Sequence, residues 1–161
     1  MAAPNPRSTS LRRLGRAGPT DGEMELLRAA SLDPERAAAA WLRWIADHDI
    51  DDAHHRSTDL LPAASANLAA DVLGGDAGRT RTLRRRVWAT TLYGLQALVD
   101  AAELLEAEGI APIVANGASL ATTVYTEPGT SAMGDVDLMI GTEHFERARV
   151  VLLAAGWKRL D

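Results

Sequence analysis

The sequence predicts an α+β fold: a helical region over residues 20–109, then a small mixed sheet with flanking helices over 110–161. Three observations predict it. Alanine supplies much of a 47% hydrophobic content in which aromatics make only 4%, and alanine is the strongest helix former. Up to Glu108 the apolar residues recur at helical spacing. Beyond Gly109 the pattern shortens to Ile110–Ala115 and to the alternating Val136, Leu138 and Ile140, which is strand spacing.

Residues 1–19, rich in Pro, Ser, Arg and Gly, read as a disordered tail. They hold arginines but no apolar central segment, so they are not a secretory signal. Thr20-Asp21-Gly22-Glu23 has capping-box spacing and opens a short helix over Met24–Ala30. Asp33-Pro34-Glu35 starts a second helix, with an N-cap acid and proline in the first turn. Its stripe is Ala37, Ala40, Trp41, Trp44, Ile45 and His48, and the two tryptophans read as core. After a polar connector through His54 and His55, a third helix is expected over about Asp59–Val72, with Leu61, Ala64, Leu68 and Val72 inward. Gly74-Gly75-Asp76-Ala77-Gly78 breaks it.

The longest pattern runs from Arg81 to Glu108 on Leu83, Val87, Leu95, Leu98, Ala102 and Leu105, and Gly109 stops it. Ile110–Ala115 reads as a strand, Ala118–Tyr125 as a short helix, 127–131 as a turn, and Asp135–Ile140 as a second strand. Thr142 is expected to cap a last helix with Phe145, Ala148, Leu152 and Ala155 inward, ended by Gly156. Trp157–Leu160 reads as the opening of a third strand. So thin a sheet needs helices over one face.

Composition excludes several classes. With no cysteine there are no disulfides, thiolate metal sites or cysteine nucleophiles. A formal charge of −5 argues against bulk DNA binding. No apolar run is long enough to span a bilayer, so a cytoplasmic location is expected. His54 and His55 beside Asp51 and Asp52 lie on a connector without ligand spacing and read as a solvated loop. The cluster Arg79, Arg81, Arg84, Arg85 and Arg86 reads first as a solvated helix face and second as a phosphate- or nucleic-acid-binding patch.

Asp135 and Asp137 carry the sharpest chemical signal. On a strand, positions i and i+2 point to one face, and two carboxylates that close repel unless a cation or proton lies between them. Hard oxygen ligands of this kind suit Mg2+ or Mn2+. Upstream, Ile113-Val114-Ala115 runs into Asn116-Gly117-Ala118-Ser119, a glycine turn at a helix start where backbone amides can hold phosphate oxygens. Gly117 leaves room for that approach, and Ser119 can donate a hydroxyl hydrogen bond. Nucleotide transfer uses such parts: two divalent ions roughly 3.5–4 Å apart activate the attacking hydroxyl and neutralise the leaving pyrophosphate. The simpler reading is a polar strand edge and an ordinary strand-to-helix turn.

At these residues the chain resembles the uncharacterised nucleotidyltransferases of bacteria, within the polymerase-beta-like nucleotidyltransferase superfamily. The matching stretches are Asn116-Gly117-Ala118-Ser119-Leu120, Tyr125 to Met133, and Asp135-Val136-Asp137-Leu138-Met139-Ile140. The resemblance extends upstream through Leu83–Gly109, more weakly through the Asp33-Pro34-Glu35 helix, and downstream to Gly156-Trp157, covering most of the chain after the tail. It implies a nucleotidyltransferase-type sheet, with Asp135 and Asp137 as catalytic metal ligands and Gly117 and Ser119 against the phosphates. It also implies Mg2+ or Mn2+ as cofactor, a nucleoside triphosphate as substrate, and an acceptor (small molecule, protein or RNA) that the motif does not identify. Three positions depart from the family pattern. Asn116 replaces its usual lysine, the loop 129–133 lacks its usual arginine, and a further acid-bearing strand would lie beyond Asp161. The chain therefore reads as the N-terminal portion of a longer member, with a catalytically degenerate nucleotide- or protein-binding module as the alternative.

Overall fold

The computed structural model describes residues 18–130 and 132–159 of the chain. Of the expected tail, only Gly18 and Pro19 fall among them.

Helix α1 (Asp21–Ser31) starts as its sequence dictates: the Thr20 hydroxyl accepts from the Glu23 amide at 3.2 Å, and Glu23 accepts from the Thr20 amide at 2.8 Å. Helix α2 (Pro34–Asp47) has Asp33 as N-cap and Pro34 in its first turn. Trp41 and Trp44 are 1% exposed and stack at 5.5 Å. With Leu26, Leu61 and Ala64 they form a core among α1, α2 and α3 (His55–Ala66). Burying each such large side chain contributes about 1.5–3 kcal/mol.

The third predicted helix divides. Asn67 donates through its side-chain amide to the Ala29 and Leu32 carbonyls at 3.0 and 2.9 Å, so the chain leaves α3 there to tie down the end of α1. A short turn, α4 (Ala70–Leu73), and a 3-10 segment (Gly74–Asp76) lead into α5 (Ala77–Ala107). The expected break at 74–78 is thus confined to Gly74–Asp76, since Ala77 and Gly78 already belong to α5, which begins earlier than Arg81. At 31 residues, α5 is roughly 46 Å long.

Strand β1 (Ile113–Ala115) pairs antiparallel with β2 (Asp137–Met139), with Ile113 opposite Met139, Val114 opposite Leu138 and Ala115 opposite Asp137. Helix α6 (Asn116–Thr123) follows β1 without a linker. A 3-10 turn (Pro128–Thr130) crosses α5, and another (Thr142–His144) precedes α7 (Phe145–Ala154). Two small clusters support the sheet: Leu98, Ala118 and Met133, and Leu105, Ile110 and Ala148. The described chain is mostly helical, 70%, with this two-stranded sheet, an α+β fold. Among the described residues no helix is long and apolar enough to cross a membrane.

Three expectations are corrected here. Ile110 belongs to a helix stop rather than a strand: Gly109 has φ 71°, and the Ile110 amide bonds the Leu105 carbonyl at 3.0 Å. Gly156 (φ 95°) and Trp157, which bonds the Leu152 carbonyl at 3.0 Å, repeat that motif, and residues 157–159 form no strand. Thr142 opens a 3-10 turn, and Phe145 is 59% exposed while Ala148 is buried, so the inward face of α7 is narrower than its sequence suggests.

Candidate functional site

Asp137 owes its position to the register. Opposite Ala115, it lies beside Asn116, whose side-chain amide donates to Asp137 Oδ2 at 2.7 Å. Asn116 has φ 51°, a left-handed conformation that asparagine tolerates better than most residues because its short side chain bonds locally. The chain turns sharply at Asn116, and α6 begins with no side chain capping its N-terminal amides. Those amides are donors at the positive end of a helix dipole. Gly117 and Ser119, both half-buried, occupy this first turn, and the Ser119 carbonyl accepts from the hydroxyls of Thr122 and Thr123 at 3.1 and 2.7 Å. A β-carbon on Gly117 would meet Met133 Cγ at 3.5 Å, an ordinary contact.

Asp135 lies outside the ladder, two residues before Asp137, and is exposed. The strand is shorter than the predicted 135–140, because β1 offers only three partners. The alternation nevertheless extends past the ladder. Val136, Leu138 and Ile140 pack against the interior clusters, while Asp135 and Met139 are exposed. The acids belong to the outward set.

The segment leading to the acids is held on α5. Arg84 and Glu127 form an ion pair at 2.8 Å, and Gly129 is buried so closely that a β-carbon would lie 3.0 Å from the Arg84 carbonyl oxygen. Met133 is buried with its methyl against Gly94. Arg84 Nε is itself buried without a partner. The sequence did not single out Asn116–Asp137, Arg84–Glu127 or Gly129 as contacts. The only signal was Asn-Gly after a strand, a pair suited to left-handed turns.

A divalent cation can be tested against these residues. Among the described residues no three His, Asp or Glu side chains converge to hold a metal ion. The set is two carboxylates, one of them already engaged by Asn116. Mg2+ characteristically keeps waters and takes one or two carboxylates together with substrate phosphates. The donors therefore fit a cation arriving on a triphosphate, and not a free ion held by protein alone. His54 and His55 are exposed with rings 4.0 Å apart, while His48 stacks on Trp44 and its Nδ1 bonds the Trp44 carbonyl at 2.9 Å.

A family model described as an uncharacterised nucleotidyltransferase matches residues 56–161, about two thirds of the chain, so the chain belongs to that family. No curated protein and no solved structure matches it.

Proposed function

We propose that this member of the uncharacterised nucleotidyltransferase family transfers a nucleoside monophosphate from a nucleoside triphosphate to a hydroxyl acceptor with Mg2+ or Mn2+. The observation that carries the reading is the Asn116–Asp137 hydrogen bond, which joins an uncapped helix start to an outward acid on the neighbouring strand. Asp135 and Asp137 face the cation, and the first-turn amides at Gly117 together with the Ser119 hydroxyl face the phosphate oxygens. Bound with the triphosphate, the cation supplies charge neutralisation and polarises the phosphoryl group. The chain's own part is to orient: the ladder fixes Asp137, and Asn116 fixes the carboxylate rotamer.

A second reading is favoured by the same geometry. With only Asp135 and Asp137 assigned to the cation and Asn116 beside them, this chain binds nucleotide without efficient turnover. Losing one preorganised charge contact typically costs about 100-fold or more in rate.

Thermal melting and turnover separate the readings. A Mg2+–triphosphate complex at a hundredfold excess over Kd stabilises by about 2.7 kcal/mol, roughly 5 °C or more for a chain of this size. Magnesium alone shifts melting far less, and Asp137→Asn removes the shift. Incorporation of labelled nucleotide into a cell extract, lost in Asp135→Ala, establishes transfer. Binding without incorporation establishes the second reading, and an absent shift with all four triphosphates refutes both.

A further inference from the structure

Between α3 and α5 runs a groove of about 370 Å³, bordered by Thr58 and Asp59 on one helix and by Arg86 and Thr90 on the other. Its far wall is Ala132, Met133 and Gly134, the last adjacent in sequence to Asp135. A second depression of about 630 Å³ continues along α5 past Arg79 and Thr82, and the two share Thr58, Leu83 and Arg86. Arg86 thus stands where they meet.

The cations of this region differ in how their charge is balanced. Arg79 lies 3.3 Å from Asp49, 3.4 Å from Asp51 and 3.5 Å from Asp76. Arg84 is paired with Glu127. Arg86 forms no ion pair among the described residues, although Asp59 borders the same groove. The groove is therefore lined by an exposed arginine without an ion-pair partner among the described residues, and its far wall ends at Gly134, one residue before Asp135. Arginine is suited to phosphate because its planar fork makes two parallel hydrogen bonds. The need is evident next to Asp135 and Asp137. A triphosphate brought to two carboxylates requires positive charge, and Asn116 and the residues 129–133 provide none. No aromatic ring lines the groove, so it offers a base no stacking platform.

We infer that Arg86 binds the phosphate tail of the nucleoside triphosphate, which lies in the α3–α5 groove with its reacting end toward Asp135. This rests on the nucleotide-transfer reading, and the test keeps the two apart. Calorimetric titration uses tripolyphosphate alone and each Mg2+–nucleoside triphosphate. Arg86→Gln weakens binding of both by about tenfold or more, the effect of one hydrogen-bonded charge contact. Arg86→Lys recovers part of the loss, and Asp59→Asn tightens binding. Arg81→Gln, exposed on the same helix, leaves Kd within about twofold because it tests only the diffuse field. Arg86 is exposed, so melting curves of its variants should match wild type and show that they fold. Wild-type affinity in Arg86→Gln, an equal loss in Arg81→Gln, or no tripolyphosphate binding by wild type overturns the inference. Arg86-dependent tripolyphosphate binding supports it even if Asp137→Asn leaves nucleotide binding unchanged, a result that would instead sink the transfer reading.

Discussion

Replacing Asn116 separates two contributions the structure superimposes at one residue. The first is its hydrogen bond to Asp137 Oδ2 at 2.7 Å, in an exposed setting, for which about 1 kcal/mol is appropriate. The second is a left-handed backbone at φ 51°, which costs most residues with a β-carbon roughly 1–2 kcal/mol and asparagine less. Asn116→Ala loses the bond and takes on the backbone cost, so it should destabilise by about 2 kcal/mol. Asn116→Gly loses the same bond but adopts φ 51° freely, so it should be milder by about 1 kcal/mol, even after the greater entropy of glycine in the unfolded chain. Urea unfolding of both variants measures the difference, which corresponds to roughly 2–4 °C in Tm. Adding Asp137→Ala to wild type and to Asn116→Ala closes a double-mutant cycle. Glycine as damaging as alanine refutes the backbone argument. A coupling energy near zero refutes the hydrogen bond as the device that holds Asp137.

Two further outcomes are expected. Arg43 above all, then Arg28 against some opposing desolvation, holds the Glu25 carboxyl below its ordinary value of 4.5. The folded state therefore binds that proton less readily than the unfolded one. The contribution is complete above about pH 4.5 and is lost as pH falls through the lower folded value. The stability gap between wild type and Glu25→Gln should stay constant from neutral pH to about 5 and close below it, and a pH-independent gap contradicts the pairing. Gly129→Ala should cost about 1–3 kcal/mol by overpacking, since its β-carbon would lie 3.0 Å from the Arg84 carbonyl oxygen and 3.2 Å from Trp88 Cβ. An unchanged Tm would show that the 127–130 segment is free to lift off α5.

The two capped helix starts were the most legible, because capping is local: Thr20, Asp33 and Pro34 do what their types and spacing require, whereas the starts at His55 and Ala77, which no side chain caps, lie four residues before the expected ones. The glycine stops at Gly109 and Gly156 fall where expected, but the residue after each was misread for an equally local reason. The apolar residue after a stopping glycine, Ile110 or Trp157, contacts the helix it terminates and so imitates the first residue of a strand. The break at Asn67 was invisible because its partners, Ala29 and Leu32, lie more than thirty residues away in sequence. Alternation correctly separated Val136, Leu138 and Ile140 from the acids, yet periodicity cannot tell how many rungs the partner strand supplies. The Asn116–Asp137 contact depends on register, which no single segment encodes.

The long helix α5 limits how the molecule can be divided. Leu83 packs on the tryptophan core, Leu98 beneath the sheet and Leu105 beside α7, so one rod belongs to all three apolar clusters. The family match begins at Arg56, inside α3, on the far side of that first cluster from Leu26, Trp41 and Trp44. A recombinant fragment cut at the family boundary would leave the apolar faces of Leu61, Ala64 and Leu83 open to water, a sticky surface with a tendency to aggregate. Expression of the family-matched segment alone is therefore a poor experimental choice. The useful unit for crystals, labelling or engineering begins at or before Thr20, where the cap of α1 closes the first core.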